Sequence, residues 1–359
     1  MLKLIGRLLL FLPIFLGMMF VSYRVDPSGL FWGRGFERMA SEYMLEGMYI
    51  AGYERLDGRA LNEVFAKNIP QAPEILVTGS SRSMMIDSSF APDRTLYNAA
   101  NVGADRFDFM TAYYIFGKEN KDPQVIVMGL DAWLFNDGED NIDKRSNKEL
   151  YYEFIGEELG VENTSYEKPN PYEKYEALID PSYFQGSVKY YFKDKSADVQ
   201  PEPVPIEEIY EKNEVIKAPD GSIIYDKKFR TNPPEIVDII VNEEAKYDPL
   251  RLGNFDGVSP EYKELFEKFV QYLLEKDIKI VFYLPPYHQV MFDKIVAGGD
   301  YYGGMFETEE YLIDIADKYG ITVCGSYNPQ TAGVTNADFY DSIHARPEAV
   351  KRMLGDAIL

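Results

Sequence analysis

The chain has 359 residues, 46% of them hydrophobic, which is enough for one large domain, or one domain with an insertion, around a substantial core. Its 37 Lys and Arg against 59 Asp and Glu give a formal net charge of −22, which excludes the basic surface that a nucleic-acid partner requires. The single cysteine, Cys324, excludes an internal disulfide and a cysteine cluster for a metal ion.

The N-terminus combines two positive charges with a short apolar segment. Lys3 and Arg7 precede a run over residues 8–21 that contains no charge. A signal peptide has the same charged start, but the end of this run lacks the small residues of a cleavage site. A buried helix of a soluble protein is a third alternative. We expect residues 1–24 to form a transmembrane signal anchor, so that the protein lies in the cell membrane as a single-pass protein with its main domain extracytoplasmic.

Residues 25–73 are predicted to form a juxtamembrane region with helices over 38–49 and 61–67. After this region, strands and helices alternate along the chain. The strands predicted from apolar runs are 74–78, 95–99, 124–128, 278–284 and 321–324. Asp105 and Ser259 are predicted to cap helices, Gly320 to end one, and Pro347 to begin a last helix that reaches Leu354. This alternation predicts an α/β fold with a mostly parallel sheet.

The alternation of predicted strands and helices is interrupted between about residues 136 and 257. This stretch contains closely spaced prolines and a hairpin signal at Asp220 and Gly221. It is too long for a connecting loop, so we expect a large central insertion with helices of its own. The acidic residues 136–143 carry oxygen ligands of the kind that Ca²⁺ accepts, but they lack the spacing of an EF-hand loop. A solvated acidic turn is the preferred interpretation, and we expect neither a metal nor a cofactor.

Four polar segments follow predicted strands, and in a parallel sheet all four lie at the same edge. They are residues 79–82, 129–131, 285–288 and 341–344. The last contains Asp341 three residues before His344, so that one turn could bring the carboxylate to one imidazole nitrogen while the other nitrogen faces a serine. Ser80, Ser81 and Ser83 all qualify by residue type; the alternatives are that these hydroxyls cap a helix and that His344 is a surface histidine.

The blocks Gly79-x-Ser81, Asn101-Val102-Gly103-Ala104, Gly129-x-Asp131 and Asp341-x-x-His344 occur in the order found in the SGNH (GDSL-like) hydrolase superfamily, which the chain resembles from about residue 25 to its end. With the N-terminal anchor, they more narrowly resemble the membrane-anchored branch of teichoic-acid D-alanyl transfer and surface-polysaccharide acylation. The resemblance implies a three-layer, flavodoxin-like parallel sheet over residues 74–359, with the insertion at about 136–257 and one transmembrane helix before it.

The resemblance also implies the roles of single residues. Ser81 becomes the nucleophile, His344 its base and Asp341 the orienting carboxylate, while the N–H groups of Ser81 and Gly103 become oxyanion donors, with Asn101 helping to shape the site. Two positions depart from the family pattern, because Ser80 replaces an aspartate and Asp131 replaces an asparagine that donates to the oxyanion.

An ionised carboxylate accepts hydrogen bonds only, so Asp131 needs a partner. Arg82 is the natural partner, since strands one and three are neighbours in this fold, and we predict an Arg82–Asp131 ion pair that neutralises Asp131 and shapes the site. His288 and Tyr287 are candidates for lining the acceptor site. His288 is also a candidate for a second base, and packing of its proline-stiffened loop is an equal alternative.

The implied function is a membrane-anchored acyltransferase or deacylase that acts through an acyl-Ser81 intermediate on a cell-surface glycopolymer, beside a membrane-bound O-acyltransferase partner. The alternative, prompted by Asp131 and by the insertion, is a non-catalytic, membrane-tethered binding or assembly factor for polysaccharide modification or export.

Overall fold

The computed structural model describes residues 11–26, 31, 35–136, 138, 145–161, 166, 170, 172–194, 200–249, 251–255 and 257–359. The chain divides into two compact units. The smaller unit consists of Met1–Ala40 and Thr164–Pro201, and the larger of Ser41–Asn163 and Glu202–Leu359.

The strands and helices alternate along much of the chain. The strands are β1 (Tyr49–Ala51), β2 (Ile75–Thr78), β3 (Leu96–Asn98), β4 (Val125–Gly129), β5 (Glu202–Val204), β6 (Ile216–Lys217), β7 (Ile223–Ile224), β8 (Lys279–Leu284) and β9 (Thr322–Gly325). The helices are α1 (Leu12–Val25), α2 (Gly35–Leu45), α3 (Gly58–Asn68), α4 (Arg106–Gly117), α5 (Lys148–Glu157), α6 (Pro181–Asp194), α7 (Lys227–Arg230), α8 (Pro234–Glu244), α9 (Pro260–Glu275), α10 (Gln289–Ala297), α11 (Gly303–Tyr319) and α12 (Pro347–Leu354).

A five-stranded sheet with the order β3-β2-β4-β8-β9 forms the centre of the larger unit, and each neighbouring pair of strands is parallel. Val77 pairs with Val127, and Val127 pairs with Val281, so the three central strands run in register. β2 and β4 consist mostly of apolar, β-branched residues, and all their residues are buried, as a sheet covered on both faces requires. The predicted α/β fold with a parallel sheet is confirmed, and the predicted strands agree with the observed ones to within one or two residues.

Both faces of this sheet are covered by helices. On one face, alternate strand residues pack with the C-terminal helix α12 in a single buried cluster that includes Val77, Val127, Val281 and Val350. On the other face, the Phe282 ring of β8 lies 5.8 Å from a phenylalanine ring of α9. The strands therefore end in the same direction at one sheet edge, where their connecting loops converge.

The helices begin and end where the sequence places caps. Asp105 accepts hydrogen bonds from the N–H groups of Phe107 at 2.9 Å and Asp108 at 3.1 Å, which caps α4. Ser259 caps α9, α12 runs from Pro347 to Leu354, and Gly320 ends α11 with a φ of 68°. These cap predictions are confirmed, because they depend on local chemistry alone.

A second sheet contains four short antiparallel strands in the order β5-β1-β6-β7. β6 and β7 form the predicted hairpin, whose turn contains Gly221 at a φ of 79°. β1 lies in the region expected to be helical. The predicted helix over 38–49 is wrong at its end, because α2 stops at Leu45, Gly47 adopts a φ of 81° and Tyr49 already begins β1.

In its described residues the smaller unit is helical. α1 packs against α6 and against a 3₁₀ turn over Glu173–Leu178, and the Tyr183 hydroxyl donates to Asp26 Oδ1 at 2.7 Å. Within the described ranges, the helices fall short of the length and apolar character that a bilayer span requires. The first ten residues of the expected anchor over 1–24 lie outside those ranges.

Candidate active site

The turn that carries Ser81 begins at the end of β2. Gly79 adopts a φ of 134°, and a Cβ atom there would lie 2.8 Å from the Gly129 carbonyl oxygen, so only glycine fits between these two strand ends. Residues 81–85 form a hydrogen-bonded turn, with Ser83 N–H donating to the Ser80 carbonyl at 3.0 Å. The alternative that these hydroxyls cap a helix is therefore wrong, because the described residues 81–85 that follow β2 form a turn and not a helix.

Three predicted residues from the two ends of the domain meet in one hydrogen-bonded chain. Ser81 Oγ lies 2.9 Å from His344 Nε2, and His344 Nδ1 lies 2.6 Å from Asp341 Oδ2. Ser81 and His344 are half-buried, whereas Asp341 is buried. The arrangement leaves the hydroxyl and imidazole open to a substrate and shields the carboxylate, which is the order that a nucleophile, its base and the orienter of that base require.

Asp341 is fixed by its own backbone as well as by the imidazole. Its Oδ1 accepts from the N–H groups of Ile343 at 2.9 Å and His344 at 2.7 Å. Burial by itself would raise the pKa of Asp341, but the facing His344 and these hydrogen bonds outweigh burial and hold the pKa below its ordinary value. The carboxylate therefore stays ionised beside the imidazole.

The predicted Arg82–Asp131 ion pair is present, with Arg82 Nη1 2.9 Å from Asp131 Oδ1 and both side chains fully buried. Burial is the main reason why the pKa of Asp131 is raised, and the positive charge of Arg82 and the hydroxyl of Ser80 oppose that rise. β2 and β4 pair directly, with Thr78 opposite Met128, and this places the two residues side by side just beyond the strand ends.

Arg82 also joins the loops that surround it, which the sequence did not indicate. Its Nε donates to the carbonyl of Ile343, the residue before His344, at 2.9 Å, and its Nη2 donates to the carbonyls of Pro285 and Pro286. The guanidinium carbon lies 4.2 Å from the centre of the Tyr287 ring. One buried side chain thus connects the serine turn, the histidine loop and the proline loop.

The expected oxyanion donors are in two turns that touch. Asn101 N–H donates to the Gly79 carbonyl at 2.9 Å, so the turn with Gly103 lies against the turn with Ser81. Among the hydrogen bonds of the described residues, none is donated by the backbone N–H of Ser81 or of Gly103. The Asn101 side chain points elsewhere, because its Nδ2 donates to the Ala99 carbonyl at 3.2 Å. Asn101 therefore shapes the site through its backbone.

Tyr287 and His288 are both buried, so neither lines an open surface in this structure. Tyr287 lies under the Arg82 guanidinium. His288 caps α10 with Nδ1, which accepts from Val290 N–H at 3.3 Å, and its own N–H donates to the Ser342 carbonyl at 3.0 Å. Both residues support the loops that carry the site, as the packing alternative for this proline loop predicted.

Aromatic residues from the insertion flank the imidazole, and no pattern in the sequence indicates them. The Tyr225 ring lies edge-on to His344 with ring centres 5.7 Å apart, and the Phe229 ring is 6.4 Å away. The Tyr225 hydroxyl donates to the Ser81 carbonyl at 3.3 Å, so this residue contacts both ends of the nucleophile–base pair. Only the three-dimensional fold brings these rings to His344, because about 115 residues separate them from it along the chain.

In the part of the chain that the structure describes, no group of three or more His, Cys, Asp or Glu side chains could hold a metal ion. Most of the acidic stretch over 136–143 lies outside the described residues.

Comparison with models of known protein families gives no match, and comparison with curated protein sequences gives none either.

Proposed function

We propose that the protein is a serine-dependent acyl-ester enzyme. The observation that carries this proposal is the continuous hydrogen-bonded chain of Ser81, His344 and Asp341, at 2.9 Å and 2.6 Å. A serine hydroxyl becomes a nucleophile when a neutral imidazole within hydrogen-bond distance accepts its proton, and a carboxylate behind the imidazole stabilises the resulting cation.

The reaction has two symmetrical halves. Ser81 Oγ attacks the carbonyl carbon of an acyl donor while its proton passes to His344 Nε2. The leaving alcohol then takes that proton as its bond to the acyl carbon breaks, which leaves an ester on Ser81. In the second half a hydroxyl acceptor, or water, gives its proton to His344 and attacks the ester, and Ser81 recovers the proton as it leaves.

The negative charge that develops on the acyl oxygen needs donors, and the N–H groups of Ser81 and Gly103 are the candidates. Asp131 cannot serve as one while ionised. Its pairing with Arg82 supports the proposal, because an ion pair without net charge repels an oxyanion far less than a lone buried carboxylate would.

The fold and the order of the blocks support membership of the SGNH (GDSL-like) superfamily, in its membrane-anchored branch, as the finer proposal. On that basis the enzyme acts outside the cell membrane on a surface glycopolymer, as an acyltransferase or a deacylase beside a membrane-bound O-acyltransferase. The parallel sheet, with all the candidate segments at one edge, is the structural observation behind it.

The test is covalent labelling of the full chain by a fluorophosphonate probe. We expect labelling of the unmodified protein and its loss in Ser81→Ala. Ser83→Ala is the matched control, because Ser83 lies in the same turn and its buried hydroxyl makes no hydrogen bond, and it should label like the unmodified protein. Labelling that survives Ser81→Ala would assign the chemistry to another residue.

The alternative, a membrane-tethered binding or assembly factor, draws on Asp131, which places a buried carboxylate where the related enzymes have an amide donor. In that case the unmodified protein would resist the probe, and Ser81→Ala would restore polysaccharide modification to cells that lack the protein as well as the unmodified chain does.

A further inference from the structure

Two segments that lie far apart in the sequence form the smaller unit. Its N-terminal segment contains α1, and its second segment, Thr164–Pro201, comes from the middle of the insertion. The Tyr183 hydroxyl donates to Asp26 Oδ1 at 2.7 Å, and the Phe31 ring lies 5.9 Å from the Tyr175 ring. The insertion segment thus packs directly on the chain that continues from α1.

This unit exposes large apolar side chains on both of its segments. On the N-terminal segment these are Phe11, Leu12, Ile14, Phe15, Leu16, Phe20 and Tyr23. On the insertion segment they are Tyr172, Tyr175, Ile179, Tyr191 and Phe192, and the exposed fraction reaches 72% at Tyr172 and 76% at Phe192. Isolated exposed apolar residues are ordinary, but a set of this size within one small helical unit marks an interaction surface.

The charge of the chain is unevenly divided between the two units. The smaller unit has ten Lys and Arg against eight Asp and Glu, a net charge of +2, whereas the remaining residues have 27 against 51, a net charge of −24. The positive charge of the smaller unit comes from its N-terminal segment, since the insertion segment has five Lys and Arg against six Asp and Glu. An anionic lipid surface therefore strongly repels the larger unit but not the smaller one. Residues 8–10, immediately before the described part of the N-terminal segment, are three further leucines in the sequence.

We propose that residues 172–194 of the insertion segment are a second membrane contact, which lies in the interface of an anionic bilayer beside the N-terminal segment. Tyrosine and phenylalanine are suited to that position, because their rings enter the acyl boundary while the tyrosine hydroxyls stay in water. A second contact fixes the orientation of the anchored unit, which a single helix that rotates about its own axis cannot do. The proposal does not rest on the chemistry of Ser81.

The experiment attaches an environment-sensitive fluorophore to single introduced cysteines in the full chain, reconstituted into phosphatidylglycerol–phosphatidylcholine vesicles. The variants are Tyr172→Cys, Phe192→Cys and Tyr247→Cys, and the native Cys324 is buried. Tyr247 is the matched control, since it is a tyrosine of the larger unit with an exposed fraction of 71%. All three positions are exposed, so the substitutions remove little packing, and circular dichroism checks that each variant is folded.

We expect blue-shifted emission and quenching by doxyl-labelled lipid at residues 172 and 192, and neither effect at residue 247. Emission at residues 172 and 192 that matches residue 247 would overturn the proposal. A blue shift without lipid quenching would also overturn it, because protein rather than lipid would then cover these side chains.

Discussion

Replacement of Arg82 by methionine tests how strongly the buried ion pair holds the site together. The substitution keeps an apolar side chain of similar length but leaves Asp131 buried without its cation, which costs about 3–5 kcal/mol in comparable buried pairs. It also removes the donor to three backbone carbonyls, and an unsatisfied buried acceptor costs about 1–3 kcal/mol. Because the loops can relax, we expect a loss of at least about 4 kcal/mol in the free energy of unfolding at neutral pH.

Asp131→Asn is the matched variant, because it removes the negative charge and keeps an oxygen that accepts from Arg82. Arg82 retains its three carbonyl acceptors, so we expect a loss of only about 1–2 kcal/mol. The double variant should be more stable than Arg82→Met alone by about 1–3 kcal/mol, since it no longer buries a lone carboxylate.

The pH dependence of the Arg82→Met variant distinguishes the charge effect from simple loss of packing. Burial already raises the pKa of Asp131 in the presence of Arg82, and removal of that positive charge raises it further. A carboxyl whose pKa is higher in the folded state contributes stability below its unfolded pKa, near 4, and loses that contribution as the pH rises through its folded pKa. The deficit of this variant relative to the unmodified protein should therefore shrink as the pH falls from about 7 towards about 4.

Urea unfolding of the detergent-solubilised chain at several pH values measures these differences. A deficit for Arg82→Met below about 1 kcal/mol, the range of exposed ion pairs, would refute the buried-pair argument. A deficit that is the same across this pH range would show that lost packing, rather than the uncompensated charge, is the cause.

Three further substitutions test separate parts of the structure. Asp341→Asn should slow fluorophosphonate labelling of Ser81 by about 10³–10⁴-fold while the chain stays folded, because the imidazole loses the carboxylate that fixes its tautomer. Lys217 is buried, and burial lowers its pKa to about 8, so folding favours the neutral amine and stability rises with pH between about 8 and 10.5. The lowering of this pKa from 10.5 to about 8 corresponds to about 3 kcal/mol at pH 7, and loss of the hydrogen bond from Lys217 Nζ to the Gly221 carbonyl offsets about 1 kcal/mol of it. Lys217→Met should therefore stabilise the protein by about 2 kcal/mol at pH 7, as measured by urea unfolding, and this gain should vanish by about pH 10.5. Gly79→Ala should cost about 2–4 kcal/mol in the same assay, because the methyl group meets the Gly129 carbonyl and the φ of 134° is strained for alanine.

The sequence predicted the features that depend on local chemistry or on one general rule of topology. Apolar runs indicated the five parallel strands, and the capping residues indicated the limits of several helices. The rule that the strands of a parallel sheet end at a common edge placed Ser81 near His344 and Arg82 near Asp131, although about 260 residues separate the first pair along the chain.

Long-range contacts and backbone acceptors could not be predicted, because neither has a signature in residue type. Arg82 donates to backbone carbonyl oxygens, and every residue has one, so residue type does not identify Ile343 or Pro285 as acceptors in advance. Residue type does not distinguish Tyr225 either, because it is one of 28 tyrosines. The hairpin and α7 bring it to the site. The division of the insertion into a part with the N-terminal segment and a part with the sheet is likewise a matter of packing.

A carboxylate instead of an amide at residue 131 should lower the rate of the proposed reaction without preventing it. In the proposed reaction, an oxyanion would have the free backbone N–H groups of Ser81 and Gly103 as donors, and Asp131 would supply no side-chain amide. Loss of one such donor costs about 2.7–4 kcal/mol, or about 10²–10³ in rate, while two backbone donors and the imidazole still leave a large acceleration over water. Because Arg82 neutralises the carboxylate, the remaining penalty is the missing hydrogen bond and not a buried negative charge facing the oxyanion.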